Sequence, residues 1–127
     1  QSKLLASTLK DGKNYFIGSN GKLIKKNLFA VEEELPHVFG NFSNEAFKII
    51  IKKIQSVGLD YKLFDSYYYY KNERWDLKLK NNKIIKLPRR NLEQALVKAK
   101  VLLENEETKH YKIIDLRIPN QVILSND

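Results

Sequence analysis

The stretch Arg74-Trp-Asp-Leu-Lys-Leu-Lys80 alternates charged and apolar residues without a break. An extended chain sends successive side chains to opposite faces, so this pattern describes a strand with one dry side and one wet side. Trp75, Leu77 and Leu79 are expected to point into a core, and Arg74, Asp76, Lys78 and Lys80 away from it. Sheets with one solvated face are usually antiparallel and built from hairpins.

Hairpin signals recur along the chain. Asp11-Gly12 lies between extended runs at 4–10 and 14–17, and Ser19-Asn-Gly-Lys22 turns the chain again into Leu23-Ile24. No helix signal follows these glycines, as a phosphate-binding loop would require. Leu59 to Tyr70 reads as extended and ends in four tyrosines, with the next loop at 71–74. If Tyr70 faces Trp75, then Tyr68 and Tyr70 share the inner side, and Tyr67 and Tyr69 stand outside beside Arg74, Lys78 and Lys80. After Asn81-Asn82, a two-residue loop would bury Ile84 and Lys86. A three-residue loop through Lys83, with an asparagine at left-handed φ, buries Ile85 and Leu87 and is preferred because it keeps lysine out of the core.

Two segments carry helical spacing. Ser43 is a good N-cap, Glu45 sits in the positive first turn, and Phe42 with Phe47 has the spacing of a hydrophobic staple. Apolar positions 46, 47, 50, 51, 54 and 57 follow, and Gly58 supplies the stop. Asn91 and Gln94 read as the N-cap and N3 of a second helix, with its stripe at 92, 95, 96, 99, 102 and 103.

The C-terminal stretch reads as two strands joined by a tight turn. Pro119 presets φ at the second turn position, and Asn120 tolerates an unusual φ at the third. Ile114, Leu116 and Ile118 alternate onto one face, Asp115 and Arg117 onto the other. The closing strand Val122-Ile-Leu124 is apolar on both faces and is expected to form a sheet edge with unpaired backbone groups, a hazard unless a partner uses it. Its order with the rest, β-β-β, α, β-β-β, α, β-β, predicts an α+β fold: a mainly antiparallel β-sheet packed against two α-helices, as one domain over 1–127.

Function classes narrow by subtraction. There is no cysteine, His37 and His110 lie in separate elements, and Glu32-Glu33-Glu34 reads as a solvated acidic turn. No nucleophile, base and orienting group fall together, so no enzyme, metal, cofactor or small-molecule substrate is expected. No apolar run approaches the roughly 18–20 residues that span a bilayer. Gln1 reads as a cut within a longer protein. The net charge of +8 raises a polyanion as partner, and eight basic residues between Lys71 and Arg90 face only Glu73 and Asp76. The basic, tyrosine-rich hairpin 67–90 is therefore an alternative nucleic-acid surface, although no RNP, KH or helix-turn-helix signature accompanies it.

An ordered set of short motifs adds a resemblance. Asp11-Gly12-Lys-Asn-Tyr-Phe-Ile17, Asn20-Gly21-Lys-Leu-Ile24, Leu35-Pro36-His-Val-Phe-Gly40, Arg74-Trp75-Asp-Leu-Lys-Leu79, Leu87-Pro88 and Ile114-Asp-Leu-Arg-Ile-Pro-Asn120 together resemble the β domain of the FtsQ/DivIB bacterial cell-division proteins. That resemblance implies a non-catalytic scaffold with a transmembrane helix and a POTRA domain upstream. It implies a single-pass inner-membrane protein whose β domain is periplasmic and holds FtsB-like and FtsL-like partners, FtsB adding a strand to the last strand of the sheet. Carried over by motif, the partner-binding residues are Arg117, Ile118, Val122, Ile123, Leu124 and Ser125, with Arg74 as the basic residue before the tryptophan strand. Many relatives have an aromatic where this chain has Ile118. Val122 and Leu124 are expected to face outward and Ile123 inward. Arg117 is expected to pair with a partner acid, or else with neighbours on the face it shares with Asp115.

Overall fold

In a computed structural model, residues 3–26 and 34–126 are described. The elements are β1 (Leu4–Lys10), β2 (Lys13–Gly18), β3 (Leu23–Lys25), β4 (His37–Phe39), α1 (Asn44–Ser56), a 3-10 turn (Tyr61–Leu63), β5 (Phe64–Tyr69), β6 (Trp75–Leu79), β7 (Ile84–Lys86), α2 (Leu92–Glu104), β8 (Ile113–Asp115) and β9 (Ile123–Ser125). All nine strands join one sheet in the order β3-β2-β1-β4-β5-β6-β7-β8-β9.

The sheet is mixed, which corrects the expectation of a mainly antiparallel one. The hairpins are antiparallel, but β1 with β4, β4 with β5, and β7 with β8 pair parallel. The strand missed in the sequence is β4. Its three residues, just after Pro36, are too few for alternation to register, yet they join β1 to β5. Glu34 is exposed, while Glu32 and Glu33 lie outside the described residues.

One face of the sheet is dry. Val38, Tyr67, Leu77, Ile85 and Ile114 are fully buried there with Phe47, Ile50 and Ile54 of α1 and Leu96 and Ala99 of α2. The Trp75 ring lies 6.3 Å from those of Phe42 and Phe47, 6.2 Å from Tyr67 and 4.8 Å from Tyr69. Burial of this aromatic cluster and its tilted and edge-on pairings stabilise the centre of the domain. The buried Tyr67 hydroxyl donates to the Tyr61 carbonyl at 2.6 Å, so the core loses nothing to an unpaired phenol.

Helix α1 follows its sequence signals. The Ser43 hydroxyl accepts from the Ala46 N–H at 3.0 Å, and the Phe42 and Phe47 rings stand 6.0 Å apart. At its far end the Gly58 N–H reaches the Gln55 carbonyl and the Leu59 N–H the Ile54 carbonyl, a Schellman closure that needs the positive φ of Gly58. Helix α2 departs from expectation. Asn91 sits at φ 60° and its side chain caps nothing.

Hairpin parity decides which residues enter the core. The loop after β6 closes from Leu79 to Lys83, with Asn82 at φ 72°, so Ile85 and Leu87 are buried as expected. The loop spans 80–82 rather than 81–83, a shift of two in the register sum that preserves the face. It leaves Lys83 on the dry side at the sheet end, where its ammonium donates to the Lys109 carbonyl at 2.8 Å. The β5–β6 hairpin went the other way. Tyr69, not Tyr70, faces Trp75, because the loop has three residues and Glu73 takes φ 64°. Every tyrosine side is thereby exchanged: Tyr67 and Tyr69 face the core, and Tyr68 stacks on Phe39 at 5.1 Å on the open face.

Gly40, just after β4, has φ 104°, and a Cβ there would stand 2.2 Å from the Tyr69 carbonyl oxygen. Gly40→Ala should cost about 3 kcal/mol or more in urea unfolding, through positive-φ strain and the backbone clash. Ser43→Ala, which removes only a cap, should cost about 1 kcal/mol. Equal midpoints for the two variants would contradict this ranking.

Candidate partner-binding edge

The sheet ends in two strands that pair on one side only among the described residues, β3 and β9. They differ in chemistry. The β3 edge carries Lys25 and is followed by Lys26, the charged defence usual on edge strands. The β9 edge, from Val122 to Ser125, carries no charge and no proline. It is held by pairing with β8 alone: Ile113 faces Ser125, Ile114 faces Leu124, and Asp115 faces Ile123.

The turn before β9 forms as its residues require. The Gln121 N–H reaches the Ile118 carbonyl at 3.1 Å, with Asn120 at φ 63° behind Pro119. The strands do not run up to this turn, however. Residues 116–122 form a longer connection, and its length sets the parity of β9. The expected orientation is therefore reversed. Ile123 is 47% exposed on the open face, whereas Leu124 is half-buried against the core beside Ile114. Val122 and Ile118 are exposed, and Ile118 has left the buried face that Ile114 and Leu116 share, because the chain turns at Pro119. Ile118, Val122 and Ile123 thus put exposed apolar side chains in and just before the β9 edge.

Both arginines singled out in the sequence are engaged within the chain. The Arg117 Nε and Nη2 groups donate to the two Asp115 carboxylate oxygens at 2.9 and 2.7 Å. The Arg117 side-chain hydrogen bond is the main cause that holds the Asp115 carboxyl below its ordinary value, against the opposing effect of burial. Arg74 donates to Asp76 at 3.0 Å and to the Leu87 carbonyl at 2.9 Å, and its guanidinium lies over the Tyr70 ring. Its side chain is only 14% exposed, so it braces β6 against the end of β7 more than it offers a free charge. Arg74 and Arg117 belong to the same open face. One rung of that face runs Phe39, Tyr68, Asp76, Lys86, Asp115, Ile123 and ends at the edge strand.

The alternative nucleic-acid surface is not arranged as expected. The hairpin register places Tyr67 and Tyr69 on the core side and Tyr68 and Tyr70 on the open face, where Tyr68 stacks on Phe39 and Tyr70 lies under Arg74. His37 is exposed, with Nδ1 2.8 Å from the Ser7 hydroxyl, and no cluster of metal-ligating side chains occurs among the described residues.

The family model for the C-terminal region of the cell division protein FtsQ/DivIB matches residues 8–117. The chain belongs to the FtsQ/DivIB family. This family is a non-catalytic scaffold family of bacterial cell division, whose domain is extracytoplasmic in a membrane-anchored protein. Among solved structures, the major extracytoplasmic domain of the trans isomer of DivIB from Geobacillus stearothermophilus is similar. The likeness covers 76% of this chain and 86% of that one, with a TM-score of 0.50 and 14% identity, and it bears on the fold. No curated protein matches the chain. The matched span of this FtsQ/DivIB domain takes in Arg74 and Arg117 and stops short of β9. No helix among the described residues is long and apolar enough to cross a membrane.

The Asp115–Arg117 pair has a pH signature. A carboxyl with a depressed folded pKa adds stability that is present above the unfolded value and lost as pH falls through the folded one. In that window the unfolded chain binds more protons, so stability rises with pH. The stability gap between wild type and Asp115→Asn should shrink as pH drops below about 4. Urea midpoints across an acid series would show it, and a constant gap would mean that the pair contributes nothing to stability.

Proposed function

We propose that this domain captures an FtsB-like strand, with its FtsL-like companion, by β-augmentation on β9, and so recruits division proteins at the septum. The observation that carries the reading is the contrast between the two edges: β3 is guarded by lysine, while β9 is short, uncharged and flanked by exposed Ile118, Val122 and Ile123. Unpaired backbone groups on such an edge supply affinity without dependence on side-chain identity, and the apolar side chains beside it supply desolvation. Ser125 ends the docking line at its pairing with Ile113. In this reading the domain lies in the periplasm, carried by a single transmembrane helix and a POTRA domain upstream.

The corrected orientation alters how the side chains take part. Ile123, rather than Leu124, meets the partner on the open face. Leu124 extends the dry face toward the edge, so an added strand would bury an apolar residue beside it. The partner strand is therefore apolar on both sides at its centre. Arg117 pairs with a partner carboxylate at the rim, where a charge contributes specificity and rate more than affinity. Arg74 reaches the partner only through the part of its side chain left exposed.

Proline scanning of Ile123, Leu124 and Ser125 tests the backbone. At the position whose N–H points away from β8, proline should lower capture of an FtsB-like peptide at least about 100-fold while the domain stays folded, because the pairing that carries the affinity is lost. Ile123→Thr should cost about tenfold or less, since the backbone pairing survives. Undiminished binding by all three proline variants would remove β-augmentation as the docking mode.

A further inference from the structure

Arg117 is held by its neighbour in an orientation that leaves half of its hydrogen-bonding edge open. The guanidinium presents five N–H donors in a plane. Its Nε–H and one Nη2–H are taken by Asp115, whose Oδ1 also accepts the Arg117 backbone N–H at 3.1 Å. That leaves the end-on edge, both Nη1 donors and the second Nη2 donor, with no hydrogen bond among the described residues. Exposure is divided in the same sense: 14% for the Asp115 side chain and 45% for Arg117. The acid is sheltered and the cationic head is open.

We propose that Asp115 is a positioning residue for partner capture: it fixes Arg117 side-on so that the free end-on edge receives a carboxylate of the docking strand. This inference rests on the docking mode proposed above and adds the identity of the group that prepares Arg117 for it. An arginine that must be frozen on binding loses rotamer freedom, and a planar fork already held by one carboxylate has lost that freedom beforehand. The charge balance supports a further acid at this place. Lys86 lies between Asp115 on β8 and Asp76 on β6, and Asp76 has its own Arg74, so with an incoming carboxylate three acids would face three cations, Arg117, Lys86 and Arg74. Asp115 sits on β8, two strand spacings of about 4.8 Å each from a strand added to β9. The guanidinium stays at Asp115, so the glutamate of the docking strand is the extended partner that leans across β9 to its free edge. Since the recognition is planar and two-pronged, lysine at 117 is not equivalent.

The test uses two short synthetic strands of alternating apolar residues, identical except for one glutamate or glutamine, with that residue placed at each open-face position in turn. Each is titrated by calorimetry against wild type, Asp115→Asn, Arg117→Lys and the double variant. Wild type should prefer the glutamate strand by about tenfold at one position. Asp115→Asn should lose most of that preference by weakening the glutamate strand alone, and in the Arg117→Lys background changing Asp115 should have no effect. Nitrogen-edited NMR gives an independent reading: the Arg117 Nε–H signal should be slow to exchange in the free domain and remain so on binding. Tighter glutamate binding by Asp115→Asn would mark Asp115 as a competitor and overturn the inference, as would an unchanged preference or a displaced Nε–H signal. Equal binding of both strands by wild type overturns it while leaving β9 docking intact. Binding of neither strand by wild type overturns the docking mode and this inference together.

Discussion

The fold depends on three residues that enter the sheet between two hairpin systems. Without β4, the meander β3-β2-β1 and the run from β5 to β9 would be separate sheets, each with an extra open edge. His37, Val38 and Phe39 close both edges at once by parallel pairing on either side. The join is fastened from several directions. The Thr8 hydroxyl donates to the Val38 carbonyl at 2.7 Å, the Val38 side chain is fully buried, and Phe39 stacks on Tyr68. Parallel pairing needs a crossover connection, and α1 supplies it between β4 and β5, which is why that helix lies over the centre of the dry face. A continuous sheet leaves two edges, and their opposite chemistry separates a guarded edge from an available one.

What was legible in the sequence follows from how far each local signal determines parity. Asp11-Gly12 fixes a two-residue turn because its residues accept positive φ, and the register of β1 with β2 follows. The loop at 80–82 was readable because the wrong parity would have buried Lys86. At 71–73 no such conflict existed. Tyrosine tolerates either face, and the left-handed position is filled by Glu73, a residue that seldom signals it. The expected sides of the four tyrosines are therefore exchanged, and the two on the open face are engaged within the chain, Tyr68 on Phe39 and Tyr70 under Arg74. Helix α1 announced its cap, staple and stop. Helix α2 announced its stripe correctly, but Asn91 was read as a side-chain cap when it is a left-handed turn residue.

The edge strand was legible and its orientation was not, for a related reason. An uncharged, doubly apolar end segment says that a strand exists and that it is not defended. Which side chain faces inward depends on the count of residues in the connection 116–122, and a type II turn at Ile118–Gln121 fixes only the middle of that count. The outcome places Leu124 on the dry side and exposes Ile123. Arg117 was recognised by motif as a contact, with pairing to neighbours beside Asp115 as the alternative. The structure has the internal pair, and it leaves a second edge of the same guanidinium unused.

Under the proposed docking mode, a scaffold with an open strand must avoid capturing every other strand it meets. Backbone pairing is sequence-blind, so selectivity has to come from what borders the ladder. The open-face rung serves that purpose. Running inward from Ile123, it alternates Asp115, Lys86 and Asp76, with Arg117 and Arg74 attached to the two acids. The row is close to neutral although the chain as a whole carries +8. Discrimination then lies in one planar contact beside an otherwise permissive ladder. In the proposed docking mode, main-chain pairing would provide the strength of binding while the guanidinium would decide which strand is kept.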